Sequence, residues 1–71
     1  MAEQVYAEMV ANVLSIDVQT GQSVAAGATL LILESMKMEI PVVSEAGGVV
    51  EQIKVEPGDV VQEGDVLVVL G

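Results

Sequence analysis

The chain repeats itself. Laid over its own sequence at an offset of 37 residues, Ala11 to Glu34 falls on Gly48 to Gly71, and eight of the twenty-four pairs are identical: Val13/Val50, Ile16/Ile53, Val18/Val55, Gly21/Gly58, Val24/Val61, Gly27/Gly64, Leu30/Leu67 and Leu33/Leu70. A bias towards valine and glycine would not place the glycines in register. A solenoid needs at least three units to bury a continuous core. Two copies imply instead a pseudo-two-fold domain in which each half covers the apolar face of the other.

Both halves have the same internal order. Val13 to Val18 and Val49 to Val55 alternate, with Ile16 and Val18, or Ile53 and Val55, on one face and Ser15 and Asp17, or Gln52 and Lys54, on the other. That period of two is a half-buried strand. Gly21 and Gly58 then mark tight turns, since a glycine takes the positive φ that such turns require. Gln22 to Ala26 and Asp59 to Glu63 are short extended links that can drop Val24 and Val61 inward, and Gly27 and Gly64 turn the chain again. Thr29 to Leu33 and Val66 to Leu70 are strands rich in leucine and β-branched residues. Frequent valine and recurring glycine disfavour helix throughout.

Between the copies, Glu34 to Gly47 is not explained by the repeat. Met38 to Val43 is expected to be a strand, limited by Pro41, which has no N–H for a ladder, to a sheet edge or to a position whose N–H is not needed. A strand arriving through Leu33 and another leaving at Met38 leave only Glu34-Ser35-Met36-Lys37-Met38-Glu39 in which to reverse. This segment is expected to be a tight hairpin with a projecting tip. Its Lys37 is one of only two lysines and has a methionine on either side, although methionine usually fills gaps inside a core. An ordinary turn lysine would be a solvated charge. Here the scarcity of positive charge and the apolar flanks single Lys37 out.

Composition narrows the function by exclusion. The 71 residues allow one small domain, which has no cysteine or histidine and hence no disulfide, no thiolate or imidazole metal ligand and no Ser-His or Cys-His nucleophile pair. An autonomous enzyme is not expected. Two lysines and no arginine stand against eleven acidic residues, for a formal charge of −9. Phosphate backbones require clustered Lys and Arg, so nucleic acid is excluded as a partner and a neutral or basic protein is expected. The longest nearly apolar run, Val24 to Leu33, is too short to cross a membrane. Met1 to Val10 holds Glu3 and Glu8 and no basic residue, unlike a targeting peptide. The expected location is the cytoplasm.

At the hairpin the chain resembles the biotinyl/lipoyl carrier domains. Glu34-Ser35-Met36-Lys37-Met38-Glu39 is similar to the Glu-Ala/Ser-Met-Lys-Met pattern of that family, in which the lysine is biotinylated, and Gly21 to Gly27 and Gly58 to Gly64 match its paired Gly-x-x-Val-x-x-Gly segments. The resemblance extends over nearly the whole chain, and residues 1–71 are expected to form a single domain. It is strongest towards small stand-alone biotinylated proteins of bacteria and the carrier domains of acyl-CoA carboxylases. It implies an all-β fold of the hammerhead type, a flattened barrel of two four-stranded antiparallel sheets with pseudo-two-fold symmetry. No segment is left over for a protruding thumb, so a thumbless carrier is expected. Two departures bear on loop geometry. Glu8-Met9-Val10-Ala11 stands where many members have a Pro-Met-Pro-Gly-like turn, and an Ala-Pro pair is missing around Ser44-Glu45-Ala46.

The resemblance also implies a mechanism. A biotin protein ligase would join biotin to Lys37 through an amide, and the arm would carry an activated carboxyl group between a biotin carboxylase and a carboxyltransferase. Met36 and Met38 would flank the site, and Glu34 and Glu39 would orient the tip on the ligase or be plain solvated carboxylates. The other acids are expected to be surface charges that discourage edge pairing, and Lys54 to stay unmodified. Two alternatives stand beside this one: a lipoyl carrier serving an oxo-acid dehydrogenase or glycine cleavage type system, and an unmodified protein-interaction module. In lipoyl domains an Asp more often precedes the lysine and a small residue follows it, so the two methionines favour biotin. A monomer is the simplest state for a mobile carrier.

Overall fold

Residues 3–71 are described by a computed structural model; residues 1 and 2, the start of the expected domain, lie outside the described residues. Eight strands follow one another: β1 (Glu3–Tyr6), β2 (Ala11–Ile16), β3 (Ser23–Val24), β4 (Thr29–Ser35), β5 (Met38–Val43), β6 (Gly48–Ile53), β7 (Val60–Val61) and β8 (Val66–Leu70). They form two four-stranded sheets, ordered β1-β8-β6-β3 and β5-β4-β2-β7, with every pairing antiparallel. The expected all-β class, the two sheets and the edge position of the proline-bearing strand are all present. Each sheet becomes the other when β1, β8, β6 and β3 are exchanged for β5, β4, β2 and β7, which is the pseudo-two-fold relation.

The repeat reaches further than the sequence identities suggest. β1 is paired to β8 as β5 is paired to β4, and the partners keep the offset of 37: Glu3↔Leu70 matches Ile40↔Leu33, and Val5↔Val68 matches Val42↔Leu31. The interval from Glu34 to Gly47 is therefore not outside the repeat. Ile40–Val43 is the second copy of Glu3–Tyr6, and only the hairpin tip lacks a counterpart among the described residues. Side-chain divergence hid this, since within these four residues only Val5 and Val42 are alike.

Strand limits also shift. β2 and β6 begin at Ala11 and Gly48 and end at Ile16 and Ile53, short of the expected Val18 and Val55. The chain leaves its ladder there, although Asp17 N–H still donates to the Leu30 carbonyl and Lys54 N–H to the Leu67 carbonyl, at 2.9 and 2.8 Å. Lys54 thus sits just past its strand rather than within it. Val18 is nevertheless buried and Val55 packs against the core. The links after Gly21 and Gly58 each contain a two-residue strand.

The core is aliphatic. Leu30, Leu31, Leu33, Leu67, Val68 and Leu70 are buried together with valines 5, 13, 18, 24, 50 and 61. Full burial of such a side chain contributes about 1.5–3 kcal/mol. Strict alternation would put Leu30 and Leu31 on opposite faces, yet both are fully buried. The register shift between Thr29 and Leu31 opposite β5 removes the conflict, because a bulge lets consecutive residues turn the same way. The pair Leu67 and Val68 repeats this arrangement opposite β1.

The loop that departs from the family pattern closes by its own means. Ser44 is buried, and its Oγ accepts from Gly47 N–H at 2.7 Å. The Glu3 carboxylate accepts from the backbone N–H groups of Glu45 and Ala46 at 3.3 and 3.4 Å, linking the first strand to this loop. Gly47 has φ +80°, and a Cβ there would lie 2.9 Å from both Ala26 N and Val24 O. Gly21 shares the positive φ but faces open space. Gly47→Ala is therefore expected to destabilise the domain by more than about 2 kcal/mol, against about 1 kcal/mol for Gly21→Ala. Urea denaturation of the two variants beside the parent checks the difference.

Candidate functional site

Strands β4 and β5 run in register through Leu33↔Ile40 and Glu34↔Glu39 to a last pair, Ser35↔Met38. Two residues, Met36 and Lys37, remain to reverse the chain. Both have positive φ, 53° and 65°. This is the signature of a type I′ two-residue hairpin, whose twist matches that of the flanking strands and whose usual occupants are Asn and Gly. A side chain in the left-handed region costs about 1–2 kcal/mol. Methionine and lysine are poor choices for the turn as a turn.

The geometry exposes what the sequence singled out. Lys37 is exposed, Met36 is 91% exposed and Met38 64%. The methionines do not fold back to fill a gap in the core, and so they give the tip an uncovered apolar rim. Glu34 and Glu39 stand directly opposite each other, one half-buried and one exposed. Like charges so paired oppose each other, so their joint presence is not explained by strand stability.

Three further residues come to the site only through the fold. Asn12 of β2 lies opposite Glu34, and Val60 of β7 lies opposite Asn12, so a row runs Val60, Asn12, Glu34, Glu39 across the sheet. Val10 precedes this row on the loop leading into β2. Val10, Asn12, Val60 and Glu34 border a shallow open groove of about 250 Å³ whose other side is Met36 and Lys37. No motif announces these residues. One signal was present: Val60-Val61 in a two-residue strand must turn one valine outward. A larger open groove of about 410 Å³ lies between β1 and β5 and includes no residue of the tip. Lys54 is exposed but has no such surroundings. Among the described residues no three carboxylates gather closely enough to hold a metal ion, and no helix is long and apolar enough to cross a membrane.

An exposed amine on a rigid two-residue tip fits a group held by one covalent bond rather than one enclosed in a pocket. Comparison with known proteins agrees: the family model described as "Biotin-requiring enzyme" matches residues 1–70. The chain belongs to this family. Within the biotin-requiring family it is 49% identical over 70 residues to the biotinylated protein TB7.3 homolog of Mycobacterium leprae, covering 99% of each chain. It is 44% identical to the biotin/lipoyl attachment protein of Bacillus subtilis, covering 89% of this chain and 86% of that one. The crystal structure of Kluyveromyces lactis urea carboxylase superposes with a TM-score of 0.94 at 32% identity, over all of this chain and 6% of that enzyme. The same fold thus makes up a minor part of a much larger enzyme.

Replacing the turn pair by its favoured occupants, Met36→Asn with Lys37→Gly, is expected to raise stability by about 1–2 kcal/mol. Urea denaturation measures the gain. A loss of stability would show that the tip side chains hold the hairpin.

Proposed function

We propose that the chain is a non-catalytic biotin carrier and that Lys37 is its attachment site. The observation that carries this reading is the exposed lysine at the two-residue tip, framed by the Glu-Ser-Met-Lys-Met-Glu motif. The family match and the biotinylated relatives support it.

Attachment needs the Lys37 Nζ as a neutral amine. It attacks the activated carboxyl of the biotinyl-adenylate in a ligase site, the new N–C amide bond forms, AMP departs and the amine proton passes to a base. The ligase must provide the base that takes that proton. This chain supplies position: the Ser35↔Met38 pair fixes the base of the turn, and the exposed methionines offer an adaptable apolar contact. Glu34 and Glu39 present negative charge beneath the tip to a basic face of the ligase. The amide removes one positive charge, taking the formal total from −9 to −10.

Once attached, biotin accepts and gives up a carboxyl group; the protein contributes reach and orientation. Tethering keeps the group at high effective concentration near both partner sites. Biotin carboxylase and carboxyltransferase subunits are the partners this implies, with the carrier acting as a cytoplasmic monomer. The B. subtilis relative, whose name includes lipoyl attachment, favours one other reading, lipoate on the same lysine.

Intact-mass measurement and peptide mapping of protein purified from its own cells test both readings. Biotin is expected on Lys37 and nowhere else. Lys37→Ala should lose the adduct completely and Lys54→Ala should keep it. A lipoyl mass would select the second reading, and an adduct on Lys54 would overturn the assignment of the tip.

A further inference from the structure

We propose that the groove beside the tip is a resting seat for the ring system of the biotinyl group, an inference that rests on Lys37 being the attachment site. The groove is bordered by Lys37 itself, so the flexible arm begins at its rim. The arm would fold back on itself to bring its end into the groove.

The chemistry of the two surfaces corresponds. The bicycle has an apolar body, the sulfur ring, and a polar edge, a urea with one carbonyl acceptor and two N–H donors. Apolar and polar side chains share the lining of the groove. Val10 and Val60 are 64% and 66% exposed, and Met36 closes the tip side. Between Val60 and Glu34 in the cross-sheet row lies Asn12. Its carboxamide can donate to the urea carbonyl and accept from a urea N–H, while the Glu34 carboxylate can accept from the other.

The repeat provides an internal comparison. At the offset of 37, Val10, Asn12 and Val60 correspond to Gly47, Val49 and Ser23. The corresponding positions in the other half thus hold neither the two exposed valines nor the carboxamide. The shared fold does not demand Val10, Asn12 and Val60, because the other half builds the same strands without them.

A shallow groove holds its occupant weakly, and a carrier requires that the arm leave when an enzyme takes it. Tethering compensates, since a local concentration in the millimolar range lets a weak site be filled. The seat would keep the ring beside the tip between transfers.

The test uses isotope-labelled protein loaded with biotin by a purified biotin protein ligase and ATP, with the adduct located by peptide mass. Amide shifts on loading are expected at Val10, Asn12 and Val60 at least as large as those at Met38 and Glu39, with nuclear Overhauser contacts between the ring protons and the Val60 methyl groups. Val60→Asp, at an exposed position, should abolish those contacts and most of the shifts at Val10 and Asn12, while the changes at the tip remain. Shifts confined to residues 35–39 in the loaded parent, with no contact to Val60, would overturn the seat and leave the attachment site standing. Failure of Lys37 to accept biotin at all would overturn both.

Discussion

Everything in this domain depends on an exchange of edge strands between its two halves. The first half keeps β2 and β4 together in one sheet but sends β1 and β3 to the edges of the other, where they pair with β8 and β6. The second half returns β5 and β7 to pair with β4 and β2. Loop backbones follow the same rule: Gly58 N–H donates to the Val13 carbonyl and Gly21 N–H to the Val50 carbonyl, at 2.8 and 2.7 Å. Neither half can satisfy its backbone or cover its leucines alone. A small core without disulfides gains cooperativity from this, because loosening one half exposes the other.

The hairpin is the place where this order is used to hold something less favourable. The cross-strand pairs from Thr29↔Val43 to Ser35↔Met38 anchor a turn whose two residues sit in left-handed backbone. Local strain persists where its surroundings over-determine it, and it concentrates at functional sites. Asn-Gly would make an easier turn. It would also remove the amine and the apolar rim, so the residues at this position are not the ones the fold alone would favour.

Much of this was legible in the sequence because it rests on residue types with narrow uses. Glycines in register announced the turns, Pro41 announced an edge, and a lysine between two methionines announced the tip. The strand β1 was not legible: Glu-Gln-Val-Tyr shares one residue with Ile-Pro-Val-Val, and what makes the two equivalent is the partner each finds in the fold. Bulges at Leu30 and Leu67 were hidden for a similar reason, since adjacent leucines read equally well as alternating faces. The groove beside the tip is assembled around β2, β4 and β7, and residues 10, 12 and 60 meet only once the fold places them around it.

The pairing of Glu3 with Leu70 brings the beginning and the end of the described chain next to each other, at the corner equivalent to the hairpin in the other half. In outline the described chain is a closed loop, cut once, and the cut and the hairpin tip occupy matching corners. Polypeptide spliced on at the cut need not disturb the tip corner. One compact body can therefore be built into a much larger enzyme, of which the Kluyveromyces lactis urea carboxylase is a solved instance, without redesign of the tip.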